Sequence, residues 1–247
     1  MTVIRDALES AFTNANGDVS LSRLSEVLSE WKTKRIIKAF LQDLVSDEEA
    51  LLSITRQSYR HDNGFWKIVV AQYRTVKLRL HIWNNLSRSL AGDSNIHNHR
   101  WDFSSLLLCG GYRQQIFSLC DSDAGDLHVS HFQYYPQGIG AERVGEDYLH
   151  LKGETSLRLI EDRVWNSPEI VAVSFTTLHR ILIREDSFVA SLFLQGADRC
   201  GFTNVYCEAE PARIKPDETR VISTRELSDA LSLLIRMLSQ NLQQCLS

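Results

Sequence analysis

The sequence predicts a mainly β protein, a sandwich or barrel, with helices at both ends. Three features of the chain lead there. From about residue 50 to residue 200 it is a succession of short β-prone stretches separated by Gly, Asp, Asn and Pro clusters. No 10–15-residue helical pattern lies between those stretches, which argues against parallel βαβ units. Before and after them, apolar residues recur with the helical period.

The N-terminal pattern has three parts. "VIRDALESAF" puts Val3, Ile4, Ala7, Leu8 and Ala11 on one face, and "NANGDVS" interrupts it. "SLSRLSEVLSEW" begins with a serine cap and groups Leu21, Leu24, Val27, Leu28 and Trp31. "KTKRIIKAFLQDLVSD" continues with Ile36, Ile37, Phe40, Leu41 and Leu44. Strand texture follows. "VKLRLHIW" alternates strictly, Leu78, Leu80 and Ile82 against Lys77, Arg79, His81 and Trp83. "FSSLLLC", "YRQQIFSL", "LHVSHFQYY", "YLHLKG", "TSLRLI", "IVAVSF", "RILIRE" and "SFVASLFLQG" read as further strands. The tail "STRELSDALSLLIRMLSQNL" returns to a helical stripe through Leu227, Leu231, Leu234 and Leu238. The expected organisation is a helical segment over 1–50, a β unit over 51–205 and a C-terminal extension with a helix over 206–247.

Composition excludes several function classes. A net charge of −4 in 247 residues, with the basic residues scattered, provides no field for nucleic acid or an anionic membrane. No stretch approaches a membrane span in length. The start "MTVIRDALESAF" carries acids and lacks the apolar region of a secretory leader. Five cysteines at irregular spacing, none in Cys-x-x-Cys, argue against a disulfide framework and for a reducing, cytoplasmic setting.

The histidines carry the chemistry. His97 and His99 in "NIHNH" are two apart, so on an extended chain they face the same way, as chelation requires. Two imidazoles are half a metal site. His61 falls in a turn, His81 on the polar side of its strand, His128 and His131 three apart on opposite faces, and His150 alone; hydrogen bonding explains all five more simply than a metal. His179, in "TTLHRILI", opens a late strand that a jelly roll would return beside residues 97–99.

"IHNHRWDFSSLLLCGGY" resembles the first cupin motif, His-x-His followed by an apolar strand and Gly. The order "LRLHIW", "NIHNH", "LHRI" is similar to that of cysteine dioxygenases and related thiol dioxygenases. The resemblance spans residues 65 to about 196. It implies a cupin jelly-roll barrel holding Fe(II) through His97, His99 and His179, with a small polar metabolite and O₂ as substrates and no nucleic acid or membrane partner. The motif glutamate of other cupins would fall at Phe103 or Ser104, with Asp102 one place early, so the implied centre has three histidines and no carboxylate. The family's Ser-x-His-x-Tyr stretch corresponds to "SLFLQ": Ser191 remains, Phe193 and Gln195 replace the His and Tyr, and the cross-linking Cys would fall near Ser104. The same metal with a different substrate is expected.

For a carboxylate substrate, Arg74 and Arg79 are the expected clamps and Gln195 a further pocket residue. Asp102, Tyr134, Ser191, Asn98 and Gln133 are candidates to orient the imidazoles. The insert "NNLSRSLAGDSN" is placed to rim the pocket. Two other readings of the same pattern stand beside the oxygenase: a cupin isomerase, epimerase or hydrolase using a divalent metal as Lewis acid, and a non-catalytic metal- or ligand-binding cupin.

Overall fold

The computed structural model of the chain describes residues 2–13, 18–33, 36–61, 63–84, 95–120, 125–135, 149–208 and 221–244. Residues 85–94 of the insert expected to rim the pocket, and Cys245, lie outside them. The architecture is mainly β, two antiparallel sheets with helices at both ends. Helices α1 (Thr2–Phe12), α2 (Leu21–Thr33), α3 (Ile36–Ser46) and α4 (Glu48–Thr55) come first, and α5 (Thr224–Gln244) comes last. Helix α4 runs past residue 50, where the strand texture was expected to begin. Asp47 caps it by accepting from the Ala50 N–H at 2.9 Å, and Glu48 and Glu49 occupy its positive end.

The first sheet has the order β1 (Tyr59–His61), β2 (Phe65–Tyr73), β3 (Val76–Trp83), β11 (Val189–Asp198), β5 (Trp101–Cys109), β9 (Ile170–Val173). The helices cover its outer face. Leu78, Leu80 and Ile82 of β3 are fully buried there against a cluster that includes Leu28, Phe40 and Leu231. Burying each such side chain stabilises the fold by about 2 kcal/mol. Ser104 of β5 faces the same way and hydrogen-bonds Ser25 of α2 at 3.0 Å.

The second sheet closes on itself: β10 (Leu178–Leu182), β4 (Ile96–His97), β12 (Thr203–Cys207), β7 (Leu127–Tyr134), β8 (Leu149–Asn166), β6 (Gly111–Cys120), and back to β10. Each of these six strands contributes one residue to a single apolar cluster: Ile96, Phe117, Val129, Leu157, Leu178 and Tyr206. That cluster is the interior of the ring. Strand alternation then turns the neighbours His97 and His179 to the opposite face. Between ring and first sheet lies a third, aromatic-rich cluster holding Trp83, Trp101, Phe103 and Phe193 from the sheet and Tyr112 from β6. The Gly110–Gly111 turn links β5 to β6. At φ +67° a Cβ on Gly110 would stand 2.5 Å from the Phe188 carbonyl oxygen, so only glycine fits.

Candidate metal centre and pocket

Strand β4 is two residues long and is held from both sides. His97 is directly opposite His179 of β10 and opposite Val205 of β12. Asn98 secures the next step: its N–H donates to the Asn204 carbonyl at 3.1 Å, and its side-chain oxygen accepts from the Asn204 N–H at 2.7 Å. The chain therefore stays extended past the strand, and His99 returns to the face of His97. One nitrogen of each of His97, His99 and His179 lies within 4.8 Å of the others. The ring centroids are 4.9–5.2 Å apart.

Hydrogen bonds fix the rings. His97 donates from Nδ1 to the Asn95 carbonyl at 2.8 Å, which leaves its Nε2 as a lone pair. Trp165 Nε1–H, a donor only, gives its proton to Gln114 Oε1 at 2.9 Å. Gln114 therefore presents its NH₂ to His179 Nδ1, at 3.0 Å. The neutral His179 then carries its proton on Nε2 and donates it to His99 Nε2, also 3.0 Å away. Burial lowers the pKa of all three imidazoles, and neighbouring rings lower those of His99 and His179 further, so the group is held neutral.

Neutral imidazole nitrogens are the donor set for a divalent transition metal. Metal–nitrogen bonds of about 2.1 Å require nitrogens roughly 3.0–3.4 Å apart. The His99–His179 separation of 3.0 Å meets that requirement. The Phe103 ring stands edge-on to His99 at 4.8 Å. The three side chains are those that hold a divalent metal, once the Nε2 proton of His179 gives way to it.

The inner face of the first sheet forms the opposite wall. From His99 the rings follow one another: Phe103 stacks on Phe193 at 4.4 Å, and Phe193 packs on His81 at 4.6 Å. Arg79 lies over the Trp101 ring at 5.3 Å, and Lys67 donates to the Tyr59 hydroxyl at 2.9 Å. Arg79, His81, Ser191 and Gln195 are all buried. Arg79 Nε, His81 Nε2, Gln195 Oε1 and Trp101 Nε1 have no hydrogen-bond partner among the described residues. Burial, with the charge of Arg79, lowers the Lys67 pKa well below the ordinary lysine value, and burial brings Arg79 down to about 10.

Several expected site residues stand elsewhere. Arg74 is exposed in the β2–β3 turn at φ 51°, over the Tyr73 ring, so it does not line this wall. Tyr134 ends β7 and is 40% exposed. Asp102 accepts from the Phe175 N–H at 2.8 Å and from Arg199, so it fixes the turn leading into β10 rather than an imidazole. Gln133 accepts from the Tyr135 hydroxyl at 2.9 Å. Sequence reasoning missed Gln114, Trp165 and Lys67. The only signal for Gln114 is its β6 position two residues from Ile116, the partner of His179, and that register is invisible before folding.

No protein-family model matches the chain, and no curated protein matches it. Among solved structures it is similar to a hydroquinone 1,2-dioxygenase from Sphingomonas sp. TTNP3 with 4-hydroxybenzoate bound, at 16% identity and TM-score 0.32, over 53% of this chain and 65% of that one. It is also similar to the hydroquinone 1,2-dioxygenase PnpCD in complex with Cd2+ and 4-hydroxybenzonitrile, at 14% identity and TM-score 0.32, over 60% and 71%. The chain thus spans just under two thirds of the length of the first. Likeness at this level assigns neither activity nor ligand.

Proposed function

We propose that the chain is a metal-dependent cupin oxygenase, an Fe(II)- and O₂-dependent oxidoreductase acting on a small polar metabolite. The convergence of His97, His99 and His179 on the face between ring and sheet carries this reading. His97, His99 and His179 would hold a ferrous ion, which would supply redox chemistry with O₂. Asn95 and Gln114 orient the imidazoles, while Trp101, Phe103 and Phe193 exclude water on the sheet side. Arg79 serves as the arginine clamp for an acidic substrate. Among the described residues no carboxylate joins the three histidines, and Phe103 stands where the resemblance would put one, which favours redox chemistry over the isomerase or hydrolase alternative.

Oxygen uptake by protein loaded anaerobically with iron tests the reading. Substrate-dependent uptake is expected from pools of small polar acids. Protein purified without a histidine tag should carry about one divalent ion per chain; a metal-free protein that also refuses added iron would refute the centre. Free cysteine should be a poor substrate. Phe193 has no polar atom, and Gln195 supplies no phenol, so the His–Tyr pair of the thiol dioxygenases is missing. Cysteine sulfinate formation at roughly one turnover per second or faster would overturn that expectation.

A further inference from the structure

We propose that Lys67 and Arg79 together bind a doubly charged oxyanion headgroup, a phosphate monoester or a vicinal dicarboxylate, across Trp101 and Phe193 from the three imidazoles. The inference rests on reading the face between ring and first sheet as the substrate site and goes further, to the substrate's charge. Lys67 is opposite His81, and Arg79 is opposite Val69, so the two cations are diagonal neighbours on one face of the β2–β3 pair. Diagonal positions lie roughly 7 Å apart, within reach of two long side chains sharing one group.

Neither cation has a carboxylate partner among the described residues. Asp198, in electrostatic range of both Arg79 and Lys77, is already paired with Arg100 at 3.0 Å. Lys77, Arg79 and Arg100 thus share Asp198, and Lys67 lies in electrostatic range of all three cations. Buried like charges without a counterion destabilise a fold, so the arrangement is suited to an anion that arrives from outside. A single negative charge would neutralise one cation and leave the other buried beside it. A dianion with several oxygens answers both.

The free donors match such a group. The Lys67 ammonium spends one of its three protons on Tyr59. Among the described residues, Arg79 Nε and Trp101 Nε1 are buried donors with no acceptor, and His81 Nε2 stands unpartnered on the same face. The stacked rings of Phe103 and Phe193 give a flat apolar wall between this end and His99, which suits a planar unsaturated body.

The test is titration of the full chain, metal-loaded and metal-stripped, with phenyl phosphate, phthalate, benzoate and benzyl alcohol at pH 8. A phosphate monoester is doubly charged at that pH. Tryptophan fluorescence and calorimetry give the affinities. The tighter dianion should bind about tenfold or more tightly than benzoate, with benzyl alcohol weaker still. Whether phenyl phosphate or phthalate is the tighter tells a phosphate subsite from a dicarboxylate one. Lys67→Met, at a partly buried position that the fold tolerates, should cost tenfold or more. Arg79→Met should do the same, and Arg79→Lys should restore part of the loss. Arg74→Met, in its exposed turn, should change nothing. Equal affinity for benzoate and the dianions, no binding by either dianion, or wild-type affinity in Lys67→Met overturns the proposal. His99→Ala separates the two readings: it should lose metal yet keep the dianion site.

Discussion

At the scale of single residues, the metal centre depends on three nitrogens and on what holds their protons. Replacing His99 or His179 by Ala leaves two donors, too few for tight binding of a divalent ion, while the mostly apolar surroundings keep the fold. Metal analysis should show occupancy falling at least tenfold in each variant; full occupancy in His179→Ala would remove it from the ligand set. Trp165 offers a finer test. Its N–H fixes the Gln114 amide so that His179 carries its proton on Nε2, the atom a metal needs. In Trp165→Phe the amide is free to rotate and accept from Nδ1–H, which frees Nε2. Metal should then bind about tenfold more tightly, within the range that partners of ligating histidines command, and calorimetry in two buffers should show fewer protons released. Weaker binding would mean that the indole matters through packing alone. The His-x-His spacing was readable before folding because alternation along an extended chain is a local rule. Lys67 was not readable. In "FWKIVV" it looks like an edge lysine facing water, and only the pairing of β2 with β3 turns it onto the inner face.

At the scale of elements, β3 shows where pattern reading stops. Its alternation was legible, and the natural inference sends the apolar side to the core and the polar side to water. Both sides are buried. Leu78, Leu80 and Ile82 pack on the helices, while Arg79 and His81 are buried on the inner face. The N-terminal helices take the apolar face, and their amphipathic stripes were visible in the sequence, but nothing local says which sheet face they would choose. Asp102 also changes role at this scale. Early in β5, it holds the turn before β10 through the Phe175 N–H. Asp102→Ala should leave that donor unpaired and cost about 2 kcal/mol in denaturant midpoints. Because the turn leads into His179, metal affinity should fall with it. Unchanged affinity alongside the lost stability would separate the turn from the centre.

For the whole molecule, the expected β unit with helices at both ends is what the chain adopts, while the closure of the second sheet into a ring had no local signature. The molecule also buries histidines in number. His81, His97, His99 and His179 all have pKa values lowered below the ordinary 6.5, chiefly by desolvation. The unfolded chain takes up protons near 6.5 and the folded chain only at lower pH. Stability from these groups is therefore complete above about 6.5 and is lost as pH falls below it, by up to about 1.4 kcal/mol per pH unit for each. Urea midpoints of metal-stripped protein should be level from pH 8 to 7 and drop steeply between 6.5 and 5. A flat profile would mean that the imidazoles reach water in the folded state. Strand β12 has a consequence of a different kind. It joins β4 to β7 by pairing Val205 with both His97 and Phe132, and His97 is also opposite His179. Loop closures of some 80 and more than 100 residues must be completed before position 97 is held from both sides, a topology that folds slowly. During synthesis the His-x-His segment emerges long before its neighbours exist, so it spends that interval as an open chelating peptide. The centre therefore cannot be complete until β10 and β12 have both been made.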